Sequence, residues 1–356
     1  MGLYFAVFSA VFIVACLKIL LEKDKYISVY PFMLYIVMTA MLCLRFGQGT
    51  DYFSYQTTFE SMTSFSSIRE YYHGEPLYLF LCFVFNYIGD YKFFIAVTSL
   101  AEMVMLWGFI RRRSVNKAVS VMLFMTVMYV TYLFNLMRQG LAMSIFLRFG
   151  LELAEKRRWT KYFALCFVLV MLHSVSVIYF LVPFVLKFNV RSIVWSIPVC
   201  AIISTVILRK WGGGIIPYFN SDIRFAAVAE RTLSFTMIYI VYSSIREKQK
   251  YLWLMKLYCF GTALYFMFLP FSLVASRTAA CFKMLEIIIV PSLMTEHSLY
   301  RKIFMYYFFM LAAVMFSHGL DGEINNGHYV RSINFVNFPY VSIFNAEDIY
   351  NYRQIK

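Results

Sequence analysis

Apolar residues occur along this chain in long continuous runs, separated by short polar or basic clusters. The runs do not alternate apolar with polar positions, as strands of a membrane barrel would, so they predict helices. About 20 apolar residues are long enough to cross a bilayer. The runs lie at about 3–20, 28–44, 77–110, 118–136, 139–154, 162–187, 192–208, 232–245, 252–275, 278–294 and 303–317. This pattern predicts an all-α integral membrane protein, a single polytopic domain over residues 1–356 with roughly 10–12 transmembrane helices.

Composition and charge support the same conclusion. The chain is 61% hydrophobic and only 15% charged, more apolar than a soluble core of this size can use. Its net charge of +14 comes mostly from basic clusters between the apolar runs. Such clusters are typical of cytoplasmic loops, so we expect membrane lipids and not nucleic acid as partners. The seven cysteines lie in or beside apolar runs without a CxxC pair, which predicts packing residues and neither disulfides nor a metal site.

The longest polar stretch, residues 45–76, includes His73 and separates the second apolar run from the third. With the basic clusters placed in the cytoplasm, this stretch is predicted to be a long outer loop. The first run lacks a cleavage signature and is predicted to be a retained helix. The charge pattern requires an odd number of crossings between 77 and 110, so we interpret 77–88 as a re-entrant or interfacial helix. Residues 318–356 form a polar C-terminal segment, also placed outside.

Three arginines are predicted to lie at this outer side. Arg138, followed by Gln139, is placed at the outer start of a helix. Arg277 is predicted to open another helix there, and Arg45 to end the second helix. Arg138 either extends its charge to the membrane surface or forms an anion site with the free N–H groups of the helix N-terminus. The convergence of three arginines on one side favours the anion site.

Two carboxylates and one histidine are further candidates. Asp51 follows a Gly-Gln-Gly-Thr turn and precedes Tyr52 and Tyr55, whose rings suit stacking on a sugar. Glu75 is predicted to open a helix, where a carboxylate either complements the positive end of the helix dipole or acts as a general base. His173 lies within an apolar run, as either a structural hydrogen-bond donor or a catalytic group. The residues alone leave these alternatives open.

Four segments carry a resemblance to a known family. They are RFGQGTDYFSYQTTF at 45–59, EPLY at 75–78, MRQG at 137–140 and LHS at 172–174. Over most of its length the chain resembles the EpsG-like branch of the Wzy-type polysaccharide polymerases. The resemblance implies a GT-C-like bundle in the bacterial inner membrane, with the 45–76 loop forming part of an active site that faces the periplasm or the cell exterior.

The resemblance also implies a reaction that needs no metal or cofactor. A glycan linked to undecaprenyl pyrophosphate is transferred to the non-reducing end of an incoming lipid-linked repeat unit, and undecaprenyl pyrophosphate leaves. The product would be a longer O-antigen, capsule or exopolysaccharide chain, and a separate protein would set its length. The alternatives are a flippase for lipid-linked oligosaccharides and a membrane O-acyltransferase acting on surface polysaccharide.

Residue roles follow from the resemblance together with the charges. The catalytic candidates are Asp51, Glu75 and His173. The substrate-binding candidates are Arg45, Tyr52, Tyr55, Arg138, Gln139 and Arg277. Arg138 and Arg277 would neutralise the pyrophosphate, with Arg45 as a third candidate, because a departing pyrophosphate needs compensating positive charge. Either carboxylate would activate or orient the acceptor hydroxyl.

Overall fold

The computed structural model describes residues 1–21, 26–70, 75–208, 225–296 and 300–354. These residues are mostly helical, and within the described ranges the only β-type pairing is two isolated bridges, Arg45 with Ser342 and Tyr329 with Arg353. The predicted class, an all-α polytopic membrane protein, is confirmed. The closer likeness to GT-C enzymes stays a prediction. His73, part of the predicted outer loop, lies outside the described residues.

The helices are numbered here in chain order. The first half contains α1 (Leu3–Leu20), α2 (Tyr30–Leu44), α3 (Tyr52–Ser61), α4 (Phe65–Glu70), α5 (Pro76–Ile88), α6 (Tyr91–Arg113), α7 (Lys117–Phe124), α8 (Met137–Ile145), α9 (Leu151–Glu155) and α10 (Trp159–Leu172). The second half contains α11 (Val182–Val185), α12 (Val190–Ile203), α13 (Phe225–Ser244), α14 (Leu252–Met267), α15 (Ser272–Lys283), α16 (Glu286–Thr295), α17 (Arg301–Asn326) and α18 (Ile349–Tyr352). A π-helix, Met125–Leu133, continues α7, and another, Phe146–Gly150, joins α8 to α9. A 3₁₀-helix, Ser174–Leu181, follows α10.

The centre of the bundle is α7 with its π-helical continuation. Every residue from 118 to 130 is buried. Helices α1, α2 and α16 pack on α7, and α17 packs along the π-helix. Because this central run leads directly to residues 134–138, the segment that carries Arg138 is positioned by the most buried part of the protein.

The membrane assignment has a geometric basis. Three described helices, α1, α6 and α17, are long and apolar enough to cross a bilayer, and seven shorter apolar helices accompany them. Large apolar side chains point away from the bundle on the long helices: Ile13 is 56% exposed, Val104 62% and Met310 69%. In water such faces would be unfavourable, whereas lipid tails solvate them.

Several helices begin or end at positions that the apolar runs do not indicate. The apolar run at 162–187 is not one helix, because α10 ends at Leu172 and His173 takes an extended conformation (φ −156°, ψ 121°). The run at 252–275 is interrupted beside Pro270, which lacks the N–H that a continuing helix needs, so Arg277 lies within α15 and does not open a helix. Helix α17 continues past the end of its apolar run to Asn326. The 45–76 segment contains two short helices, α3 and α4.

The prediction for 77–110 agrees better with the structure. Two helices occur there, α5 with 13 residues and α6 with 23, separated at Gly89. At 1.5 Å per residue, α5 is about 20 Å long and too short to cross the hydrocarbon core of a bilayer at full depth. Its placement as a re-entrant or interfacial helix stays a prediction.

Candidate functional site

The turn at residues 47–50 requires glycine at two positions. Gly47 and Gly49 have φ values of 64° and 109°, in the region that side chains disfavour. A Cβ on Gly49 would also overlap the carbonyl oxygen of Phe134. The N–H of Gly49 donates to Glu323 (2.8 Å), and the N–H of Thr50 donates to Asn135 (2.7 Å). The turn is thereby fixed against the segment that precedes Arg138.

The C-terminal segment holds the same turn through Arg353, which is 8% exposed. Its Nη1 donates to the carbonyl oxygens of Gly47 (2.8 Å) and Gly49 (3.1 Å), and its Nη2 to that of Thr50 (3.3 Å). Its Nε donates to Gly327 (2.6 Å). One guanidinium group therefore ties the turn to the end of α17. Arg353 is not among the residues predicted from the sequence, since nothing in the local sequence around it indicates a contact some 300 residues away.

Three of the predicted residues meet beyond this turn. Arg138, in the first turn of α8, donates through Nη1 to Oε2 of Glu75. The other carboxylate oxygen of Glu75 lies 3.1 Å from Nδ1 of His173. The side chains of Glu75, His173 and Arg138 are 13%, 10% and 30% exposed, respectively. Three residues that are far apart in the sequence thus form one hydrogen-bonded group, which we call the Glu75 cluster.

The structure also decides what the Glu75 carboxylate does. Glu75 occupies the N-cap position of α5, as predicted, but its side chain makes no capping hydrogen bond. It accepts hydrogen bonds from Arg138 and His173, and more weakly from the N–H and hydroxyl of Ser174, both at 3.5 Å. The break after α10 is what brings His173 and Ser174 to it. Ser174, although part of the quoted LHS motif, was not selected as a site residue.

The electrostatics of Glu75 follow from these contacts. Burial alone would raise the pKa of this carboxyl, but the hydrogen bond with His173 and the positive charge of Arg138 outweigh it and lower the pKa from 4.5 to about 2. Glu75 is therefore an anion at neutral pH. A carboxylate with so low a pKa is a weak general base, and this geometry suits it to fixing the two basic side chains.

Tyrosines line the cluster. The guanidinium carbon of Arg138 lies 5.3 Å from the ring centre of Tyr55 and 5.4 Å from that of Tyr78. Burial raises the pKa of the Tyr55 hydroxyl. Arg138 and Arg277 act against this rise and Asp51 adds to it, so all three charges lie near Tyr55. Tyr55 is therefore the side chain around which the predicted residues converge.

Gln139 and Arg277 are linked directly. The Nε2 of Gln139 donates to the backbone oxygen of Arg277 (2.9 Å), which ties α8 to α15. The Arg277 side chain is half-buried, and among the described residues its guanidinium group has no carboxylate within ion-pair distance. Asp51 is half-buried at the start of α3, and among the described residues its carboxylate accepts one long hydrogen bond, from the Thr50 hydroxyl at 3.4 Å.

Arg45 and Tyr52 are placed elsewhere. Arg45 is 3% exposed, donates to the carbonyl oxygen of Leu42 (3.2 Å) and lies 5.0 Å from the Phe134 ring centre, so its contacts are not those of the Glu75 cluster. Tyr52 is 2% exposed, and its ring packs edge-on against Tyr91 and Phe46. Neither side chain presents a free surface in this conformation. Their substrate-binding roles stay predictions.

Several buried polar atoms of the site have no hydrogen-bond partner among the described residues. They include Nε of Arg138, Nε2 of His173, Oε1 of Gln139 and the hydroxyl of Tyr78. Buried polar atoms are nearly always paired, so an unpaired group of this kind is where a ligand atom is expected. Within the described ranges, no three His, Cys, Asp or Glu side chains come together as a metal site would require. The metal-independence of the reaction stays a prediction.

Comparisons with known proteins gave one match. The model of the EpsG family matches residues 28–340, which contain the Glu75 cluster, Asp51, Gln139 and Arg277 and exclude Arg353. Searches among curated proteins and among solved structures found no match.

Proposed function

We propose, from the fact that this chain belongs to the EpsG family, that it lengthens a polysaccharide by joining lipid-linked repeat units. The family and the apolar helices make it a membrane protein of polysaccharide biosynthesis. In the proposed reaction, the bond between the growing glycan and undecaprenyl pyrophosphate breaks. The anomeric carbon bonds to a hydroxyl at the non-reducing end of a second lipid-linked unit. Undecaprenyl pyrophosphate leaves with the electron pair, on the outer face of the membrane.

The observation that carries this proposal is the Glu75 cluster with its unpaired nitrogen atoms. Glu75 holds Arg138 and His173 side by side, so that Nε of Arg138 and Nε2 of His173 remain available to a ligand. Donors fixed in advance toward a developing negative charge stabilise a transition state at no reorganisation cost. We assign both to the pyrophosphate, with His173 in its doubly protonated form, because its Nδ1–H already donates to Glu75 and Nε2 donates only when it also carries a proton. Arg277 is a second cation near Tyr55.

The acceptor hydroxyl must lose its proton as the new bond forms. Glu75 is poorly suited to take it, because its pKa is about 2 and both its oxygens are already engaged. Asp51 lies near Tyr55, and among the described residues it belongs to no ion pair. We therefore assign the proton to Asp51, and acceptor contacts to Tyr55 and Gln139.

The test compares two arginines on one helical run. In a strain lacking the chromosomal gene, Arg138→Ala should lower the rate of polymer growth by on the order of 10²–10³. Single lipid-linked repeats should then accumulate on the outer face. Arg148→Ala is the matched control, because Arg148 lies in the π-helix after α8 and pairs with Glu152 at 3.4 Å. This control should leave polymer length unchanged at equal protein level.

Other outcomes would point to other functions. Loss of surface repeats altogether would indicate a flippase, and unchanged chain length with altered acylation would indicate an acyltransferase. Normal polymer from Arg138→Ala at normal expression would contradict the assignment of the pyrophosphate to this cluster.

A further inference from the structure

A cavity with charged residues in its lining lies at the far end of α10 from the Glu75 cluster. This helix ends beside His173 in the Glu75 cluster and begins at Trp159, which lines a cavity of about 600 Å³. At 1.5 Å per residue, its 14 residues separate the two places by about 20 Å. The cavity is therefore distinct from the proposed active site. Its lining residues are Ala154, Glu155, Arg157, Trp159, Pro183, Leu186, Lys187, Gln249, Leu252, Trp253 and Lys256.

The charges around this cavity do not balance. Its lining contains three basic side chains and one acidic one, Glu155. Glu155 already pairs with Arg113 at 2.8 Å, and the guanidinium group of Arg113 lies 4.9 Å from the ring centre of Trp253. Among the described residues, Arg157, Lys187 and Lys256 form no ion pair. Three uncompensated positive charges therefore face one cavity.

The positions of the two lysines show how the cavity is built. Lys256 lies in the second turn of α14, and its ammonium group donates to the carbonyl oxygen of Leu186 (2.7 Å) at the end of α11. The ammonium group of Lys187 lies 5.6 Å from the ring centre of Phe184. Lys256 is half-buried and held by this hydrogen bond, whereas Lys187 is exposed at the surface.

The size and surroundings of the cavity favour a lipid as its occupant. Its volume far exceeds that of an inorganic phosphate ion. Large apolar side chains next to it face outward: Phe184 is 55% exposed and Phe188 58%. Two tryptophans line its wall, and tryptophan is enriched where membrane meets water. A phospholipid whose phosphate group lies in the cavity could therefore place its acyl chains against the apolar surface formed by Phe184 and Phe188.

We infer that this cavity binds the phosphodiester headgroup of an anionic phospholipid. Arg157 and Lys187 contact the phosphate from the rim, and Lys256 contributes charge from the wall. The acyl chains lie against Phe184. The site is independent of the proposed glycan transfer, so each can fail without the other.

Two double variants of equal charge test this inference. Arg157→Gln with Lys187→Gln removes cavity charges, whereas Arg158→Gln with Lys161→Gln removes two exposed neighbours that do not line the cavity. Binding of phosphatidylglycerol to the purified full chain is measured by native mass spectrometry. The first pair should weaken binding roughly tenfold or more. It removes two cations that each attract the anionic headgroup, and their effects on the binding constant multiply. The control pair should change it less than twofold.

Binding of a second lipid and competition by soluble phosphates identify the ligand. Phosphatidylcholine should bind much more weakly than phosphatidylglycerol, and neither inorganic phosphate nor glycerol 1-phosphate should displace the lipid at equal concentration. Equal loss in both double variants, equal binding of the two lipids, or displacement by either soluble phosphate would each overturn the inference. Lys187→Glu serves as a second variant, since reversal of an exposed charge should weaken binding more than Lys187→Gln without disturbing the fold.

Discussion

The Glu75 cluster and a group around Lys283 are both built from ionisable side chains inside this helical bundle, and they differ in how completely they are paired. In the Glu75 cluster, Arg138 and His173 each keep one buried nitrogen without a partner. In the second group, the Lys283 ammonium lies 2.8 Å from both oxygens of Glu230. Nearby, Glu286 accepts a hydrogen bond from Tyr258 at 2.9 Å. No polar atom of Lys283, Glu230 or Glu286 is buried without a partner among the described residues.

The difference separates a binding site from a structural contact. Charges that satisfy one another completely hold helices together and offer nothing to a ligand, as Lys283 and Glu230 do between α15 and α13. Charges that are fixed but incompletely satisfied retain donors for a ligand, as in the Glu75 cluster. Sequence spacing could not make this distinction, because Lys283 and Glu286 look like partners at i,i+3, whereas the ion pair of Lys283 is with Glu230.

The largest expected effect is on stability, at the second group. Lys283→Ala leaves Glu230 buried without its cation, which should destabilise the protein by about 3–5 kcal/mol. Thermal unfolding of the detergent-purified protein and its membrane yield would measure this. The double variant Lys283→Met with Glu230→Gln removes both charges and should recover most of the stability and the polymerising activity. A double variant that is stable but inactive would show that Lys283 and Glu230 belong to the active site. They would then no longer be a purely structural contact that differs from the Glu75 cluster.

A smaller effect is expected at Arg353, which positions the Gly47–Thr50 turn without belonging to the Glu75 cluster. Arg353→Ala removes four hydrogen bonds from a charged donor, and we expect a loss of about 1.5–3 kcal/mol of local stability. Hydrogen exchange of the turn should accelerate. The rate of polymer growth should fall about tenfold.

Two variants serve as comparisons for Arg353→Ala. Arg353→Lys should recover part of the loss, because a lysine reaches fewer of the four carbonyl oxygens. Arg331→Ala, an exposed arginine of the same C-terminal segment, should have no effect. If hydrogen exchange in the Gly47–Thr50 turn is unchanged in Arg353→Ala, other contacts, such as that of Glu323 with Gly49, are sufficient to hold the turn in place.

How far the sequence predicted this site depends on the kind of signal each residue gives. Arg138, Glu75 and His173 stand out because ionisable groups beside apolar runs are costly, and the structure places them together. Arg353 gives no such signal. Its role depends on contacts with a turn near the other end of the chain, and it lies beyond the residues that the family model matches.

The fold also has features that the sequence predicts and features that only tertiary contacts determine. Helical class and membrane character follow from continuous apolar runs, so they were predicted correctly. The break at His173 was not, because the apolar run continues beyond this residue to 187 and the contact of His173 with Glu75 is tertiary. Tyr52 was expected to present its ring to a sugar, but aromatic residues of the outer segment also pack together, and sequence cannot tell the two uses apart.

The smallest expected effect concerns pH and tests whether Glu75 is a permanent anion. Its pKa is lowered from 4.5 to about 2, so its ion pairs contribute stability that is fully present above the unfolded value of 4.5 and is lost as the pH falls through about 2. The stability difference between the native protein and Glu75→Gln should therefore not decrease as the pH falls from 8 to 5, and should shrink only below about 4.5. Thermal unfolding of both proteins from pH 8 to below pH 4.5 measures this difference, with Glu60→Gln as the exposed control from the same outer segment.

A difference that already declines between pH 7 and 5 would mean that Glu75 takes up a proton in the physiological range. It would then be Glu75, not Asp51, that suits the role of the base.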